Sequence, residues 1–160
     1  NLYFEDAFGD ALDIDISKKV FISNSEFYNS ANDAIDLMES DVVINKVKIK
    51  KSKDKGISVG ESSITKIFES QLEDNNIAVA IKDNSQAYIE KTNFTNNKIN
   101  LSAYKKNLQY GSGGKAIIRK SSFKSNVNKF LSTDSAIHIK DTLITGKIKA
   151  VGKGIFINER

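Results

Sequence analysis

The sequence predicts an all-β solenoid: a parallel β-helix of about seven rungs, with three short strands per rung. Three observations carry this prediction. Apolar residues recur in columns roughly 22 residues apart along the 160-residue chain. Within a repeat they alternate with polar or small residues, which is the period of a strand and not of a helix. Small polar residues recur at a fixed distance after one of the columns, where the chain must turn.

The first column reads Ile22, Ile44, Ile67, Ile89, Ile118, Ile139, with spacings of 22, 23, 22, 29 and 21. A second column lies five residues later and keeps those spacings: Phe27, Ile49, Leu72, Phe94, Phe123, Ile144. A third runs Leu12, Ile35, Ile57, Val79, Leu101, and a fourth follows two residues on: Ile14, Leu37, Val59, Ile81, Ala103. A two-residue step keeps both side chains on one face of a strand. The five-residue step breaks that period, so a bend lies between the first and second columns. A repeat this short cannot bury its own apolar face. Parallel stacking on the next rung can, and it sets like on like at about 4.8 Å. Seven rungs at that rise make a rod on the order of 30–35 Å tall.

Three residues past the second column stand Ser30, Ser52, Asn75, Asn97 and Asn126. They are expected to take left-handed turn conformations, and the amides to bond from rung to rung. Lys147 replaces them in the sixth repeat, so this ladder should fail near the C-terminus. The one long spacing places an insertion at residues 105–114, which contains Tyr110-Gly111-Ser112-Gly113-Gly114. It reads as a protruding loop on a single β-helix domain covering residues 1–160. The chain opens inside a strand (Leu2, Phe4) without an initiator Met, and a last strand at residues 154–158 ends abruptly. It therefore reads as a piece of a longer protein.

Composition excludes several classes. Hydrophobic residues make up 39% and charged residues 28%, as in soluble globular proteins. No apolar run reaches spanning length, so no membrane span is expected. With no Cys and one His, disulfides and Cys-ligated zinc are out, and His-based sites are disfavoured. His138 alternates with Ile137 and Ile139 and should face outward. The run Lys46, Lys48, Lys50, Lys51, Lys53, Lys55 looks like an anion stripe, but register opposes it. Lys46 falls between Asn24 and Glu69, Lys48 beside Glu26, and Lys50 beside Glu73. Opposite charges on adjacent rungs remove the field a polyanion needs, so no nucleic-acid partner is expected. Gly111-Ser112-Gly113-Gly114-Lys115 lacks P-loop spacing.

The segments Val20-Phe21-Ile22-Ser23-Asn24-Ser25-Glu26-Phe27-Tyr28-Asn29 and Ala87-Tyr88-Ile89-Glu90-Lys91-Thr92-Asn93-Phe94-Thr95-Asn96-Asn97 resemble the right-handed parallel β-helix repeat proteins, the superfamily of pectate lyases and their relatives. The resemblance covers nearly the whole chain. Asp33-Ala34-Ile35-Asp36-Leu37 and Asp54-Lys55-Gly56-Ile57-Ser58-Val59-Gly60-Glu61 look like a bacterial subgroup of it. The resemblance implies a right-handed coil, a secreted or cell-surface location and a polysaccharide partner. It also implies motifs for the enzymes: paired Asp with Gly-His-Gly and Arg-x-Lys, an Arg base beside acidic Ca²⁺ ligands, or an Asp–His pair. Here Gly-His is missing, Arg119-Lys120 has the reverse order, and the only arginines are Arg119 and Arg160. Each departure weakens an enzymatic reading.

One face could still carry chemistry. With Leu12, Ile14, Ile35 and Leu37 inward, Asp13, Asp15 and Asp36 point out. Asp36 stacks on Asp13 at roughly 5 Å. Carboxylates that close hold a cation, share a proton or are relieved by neighbouring lysines. Asp13, Asp15 and Asp36 are therefore the Ca²⁺ candidates, although no cofactor is required. The outward row continues through Ser58, Ala80 and Ser102, beside Met38, Gly60, Lys82 and Tyr104, with Lys55, Glu61 and Asp83 at its edges. Such a face reads as a shallow groove. Its ligand-binding candidates are Asp15, Ser58, Glu61, Lys82 and Tyr104, and its catalytic candidates are Asp13, Asp36, Lys82 and Tyr104. The leading reading is a non-catalytic extracellular or cell-surface rod for carbohydrate binding, adhesion or assembly. The alternative is a polysaccharide lyase, glycoside hydrolase or epimerase acting on acidic polysaccharide. Open solenoid ends invite stacking, either by further rungs of the same chain or by end-to-end self-association.

Overall fold

The computed structural model describes residues 1–157; Asn158 and Arg160 lie outside the described residues. Strand β1 (Tyr3–Glu5) precedes four regular rungs. These are β2 (Leu12–Asp15), β3 (Val20–Ser23) and β4 (Glu26–Tyr28); β5 (Ile35–Met38), β6 (Asp41–Asn45) and β7 (Lys48–Lys50); β8 (Lys55–Gly60), β9 (Ile64–Phe68) and β10 (Gln71–Glu73); and β11 (Ile77–Lys82), β12 (Gln86–Glu90) and β13 (Asn93–Thr95). Then follow β14 (Ile99–Tyr104), β15 (Lys115–Arg119), β16 (Ser122–Ser132), β17 (Ala136–Lys140), β18 (Leu143–Val151) and β19 (Ile155–Ile157). Every pairing is parallel, and the coil makes about seven turns.

The predicted columns are the observed registers. Ile22, Ile44, Ile67, Ile89, Ile118 and Ile139 are successive partners in the second ladder, and Ile157 continues them. Phe27, Ile49, Leu72, Phe94, Phe123 and Ile144 are partners in the third, with Phe4 before them. Leu12, Ile35, Ile57, Val79 and Leu101 form the first ladder, and Ile14, Leu37, Val59, Ile81 and Ala103 run beside them. All point into one continuous core. Aromatic rings stack along it, Phe4 on Phe27 at 5.2 Å and Phe94 on Phe123 at 4.5 Å.

The bend between the first two columns is a left-handed residue in every repeat: Asn24, Lys46, Glu69, Lys91, Lys120 and Asp141 all have φ of 47–53°. The turn after the third ladder needs a correction. Its left-handed residues are Asn29, Lys51, Asp74 and Asn96, one position before the predicted Ser/Asn column. That column instead turns inward. Asn97 Oδ1 accepts the Asn75 N–H at 3.0 Å, and Asn75 Oδ1 accepts the Ser52 N–H at 3.0 Å. Asn126 is exposed and does not join them. The ladder continues through Asn100, whose Nδ2 donates to Asn128 Oδ1 at 3.1 Å.

The reason is a straightened corner. β16 runs through the position where the earlier rungs turn, and it pairs with β13 at its start and with β14 at its end. The third and first ladders thus merge into one sheet, and the last rungs have two strands, not three. Two further polar ladders went unread in the sequence. Backbone N–H groups of Ser17, Ser40 and Ser63 donate to the hydroxyls of Ser40, Ser63 and Ser85 at 2.9–3.1 Å. Those of Val47, Ser70 and Thr92 donate to the hydroxyls of Ser70, Thr92 and Ser121 at 3.1–3.5 Å. At these corners the buried backbone is satisfied by a side chain of the next rung, as a buried turn requires.

Residues 105–114 carry no strand and lie over the corner after β14. Among the described residues no helix is long and apolar enough to cross a membrane.

Candidate functional site

The outward row of the first ladder is as registered: Asp13 pairs with Asp36, Asp36 with Ser58, Ser58 with Ala80, and Ala80 with Ser102. Beside it Asp15 pairs with Met38, Met38 with Gly60, and Lys82 with Tyr104. Asp13 and Asp15 are exposed and Asp36 is half-buried. Partial burial and the neighbouring charges of Asp15, Asp36 and Asp10 push the Asp13 carboxyl up from its ordinary pKa. Among the described residues, no group of three or more acidic or imidazole side chains converges to hold a metal ion. The acids share a row without forming a cage, and Asp36 Oδ1 turns back to accept the Leu37 N–H at 3.1 Å.

The middle of the face is not the open groove expected. Ser58 and Ala80 are fully buried, and Lys82 and Ser102 are 5% and 6% exposed. The small residues are overlaid by long ones. A Cβ built on Gly60 would lie 3.0 Å from Cε and 3.2 Å from Nζ of Lys82. The lysine therefore reaches back across Gly60, one rung below its own. Among the described residues it forms no ion pair. The Ser58 hydroxyl is buried without a hydrogen-bond partner. Glu61, a left-handed corner residue with φ of 49°, has its carboxyl pushed up by burial against the opposing pull of Lys82. Tyr104 is half-buried, and burial raises its phenol above the ordinary value despite the nearby Lys55. That disfavours a phenolate base.

Two elements of the site escaped the sequence reading. Asp33, 3% exposed, accepts the Lys55 N–H at 2.9 Å and lies 3.3 Å from Lys55 Nζ. Lys55 Nζ also bonds Asp54. Burial lifts the Asp33 carboxyl to about 6, with Lys55 pulling the other way. The Asp33 N–H donates in turn to Asp10 Oδ1 at 2.8 Å. The signal was the 23-residue step from Asp10 to Asp33, the same step that marks the apolar columns. Asp83, at the groove edge near Glu61 and Tyr104, also holds the loop. Its Oδ1 accepts the N–H groups of Lys106 and Asn107 at 2.7 and 2.9 Å. Asn84 Oδ1 accepts the Ser112 N–H at 2.8 Å. The insertion is thus pinned at both ends, and Leu108 stands exposed at its tip.

Chemically, the face offers the Lys82 ammonium, without an ion pair among the described residues, between a row of acids and a tyrosine. The opposite-charge pattern predicted elsewhere is present: Glu69 sits 4.0 Å from Lys46 and 3.7 Å from Lys91, and Glu73 sits 3.0 Å from Lys50.

No curated protein and no solved structure matches the chain. A family model for the right-handed β-helix region matches residues 1–144, and with the parallel solenoid described above, the chain belongs to the right-handed β-helix family.

Proposed function

We propose that this chain is a non-catalytic β-helix module, a rigid rod acting outside the cytoplasm that binds acidic polysaccharide on the outward face of its first ladder. The observation that carries the reading is Lys82. Lys82 is 5% exposed and forms no ion pair among the described residues, so its ammonium can take a ligand carboxylate in a charge-assisted hydrogen bond. Tyr104 supplies a half-buried ring farther along the face. The departures from the family's catalytic motifs support binding without turnover.

The test is retention on immobilised polygalacturonate and alginate, with dextran as the neutral control, together with assays for released product. Wild type should be retained by an acidic polymer and release nothing. Lys82→Met keeps the stem and removes the charge; its affinity should fall about tenfold, the size of one charge-assisted hydrogen bond, while its melting temperature holds or rises. Equal retention of wild type and Lys82→Met would remove the basis for the reading. Product release abolished by Asp36→Asn would make the face an active site.

A further inference from the structure

The second ladder carries a different site. Its outward row reads Phe21, Val43, Lys66, Tyr88, Ile117, His138 and Phe156 by register. Phe21 is 74% exposed. Two hollows open on this face. The larger, about 550 Å³, lies between Phe21 and Phe68, with Val43, Asn45 and Ser23 in its lining. Phe21 and Phe68 belong to rungs two apart, about 9–10 Å along the axis, and the residues stacked between them, Val43 and Asn45, are smaller. The second hollow, about 220 Å³, lies between Phe68, Tyr88 and Ile117. The two share Phe68 and Glu90, so they are neighbouring stations along the rod.

The charges of the larger hollow cancel. Lys46 and Lys91 flank Glu69 at 4.0 and 3.7 Å, and Glu90 is held by Lys120 at 3.3 Å. The lining thus offers aromatic walls, paired carboxylates and amines, an amide and a hydroxyl, with no net charge among Lys46, Lys91, Glu69 and Glu90. An apolar peptide side chain would cover Asn45 and the carboxylates without pairing them, which is costly. A polyanion would meet the glutamates. A ring that is apolar on its faces and hydroxylated around its edge matches both kinds of group. We infer that the paired hollows on the second ladder bind consecutive residues of a neutral oligosaccharide, with Phe21, Phe68 and Tyr88 against the ring faces and Asn45, Glu69 and Glu90 on the hydroxyls. This rests on the carbohydrate-binding reading above and assigns it a second surface that takes a neutral, not an acidic, sugar.

Titration of the ¹⁵N-labelled chain with cellohexaose, laminarihexaose and mannohexaose, followed by amide chemical shifts, tests the inference. At least one sugar should shift the amides of Ser23, Asn45, Glu69 and Glu90 while leaving Ser58 and Lys82 in place. Phe21→Ala alters a largely exposed side chain and Asn45→Ala a half-buried one, so both should fold. Each should weaken binding about tenfold or more, as loss of an anchoring contact does, and Lys82→Met should leave it unchanged. Shifts confined to the first-ladder face, or equal binding by Phe21→Ala, would overturn the inference while leaving the acidic-polymer reading intact. Retention on acidic polymer lost by Lys82→Met, with no sugar shifting the second-ladder amides, would overturn this inference alone.

Discussion

Asp33 concentrates the residue-scale electrostatics of the first ladder. It is buried, receives a backbone and a side-chain hydrogen bond from Lys55, and has its carboxyl lifted to about 6 by burial. A carboxyl whose pKa rises on folding holds its proton more tightly folded than unfolded. Its contribution favours folding below the ordinary carboxylate pKa and is lost as pH climbs through about 6. Asp33→Asn keeps an acceptor for the Lys55 N–H and removes the titration. The stability of wild type relative to this variant should fall by on the order of 3 kcal/mol between about pH 4 and pH 7, read from paired urea melts. A flat difference would mean that folding leaves the Asp33 pKa unchanged. Residue-scale features of this kind were the least legible in the sequence. The left-handed corner of the second ladder holds Asn, Lys, Glu, Lys, Lys and Asp in turn, so residue type does not announce it; only the spacing does. Burial of Lys82 was equally hidden, because alternation says which way a side chain leaves the strand and not whether a neighbour folds over it.

At the scale of elements, the corners hold the rungs together. Asn75 and Asn97 bond each other, the Ser52 N–H and the Leu72 carbonyl, all inside the coil. Replacing Asn97 by Ala leaves the Asn75 N–H without its partner in a buried turn and removes the side-chain hydrogen bond to the Leu72 carbonyl. The cost should be about 1–3 kcal/mol in equilibrium unfolding, the cost of one unmet buried group. Asn126→Ala, at the exposed position the spacing had put in the ladder, should cost under about 0.5 kcal/mol. Equal losses for the two would return Asn126 to the ladder. The misplacement has a physical cause. The repeat was counted from the turn geometry of the earlier rungs, and β16 extends straight through that turn, with a register shift between Lys124 and Val127 against β18. The Ser/Thr ladders were missed because Val47 interrupts one of them and serine is common enough in turns to hide a column.

For the whole molecule, the apolar columns were sufficient to give the architecture, since each is an unbroken run of register partners from rung to rung. A solenoid built this way has no long-range packing beyond the next rung, so stability should vary along its axis. Ile57, Ile67, Ile81 and Phe94, in the middle rungs, are fully buried. In β18 only Ile144 is even half-buried, and among the described residues this strand pairs with β16 alone. Hydrogen exchange on this 160-residue chain should therefore show the slowest amides in β8, β9, β11 and β12, with protection declining through β16 to β18. Phe94→Ala should cost about 3–5 kcal/mol and lower protection most in β13 and in β10 and β16, the strands paired with it. Ile144→Ala should cost less than about 1.5 kcal/mol and speed exchange only from β16 onward, because its side chain is already partly in water. Uniform protection along the rod, or a global effect of Ile144→Ala, would show that the rungs unfold as one unit and that the coupling between neighbours outweighs the differences in their burial.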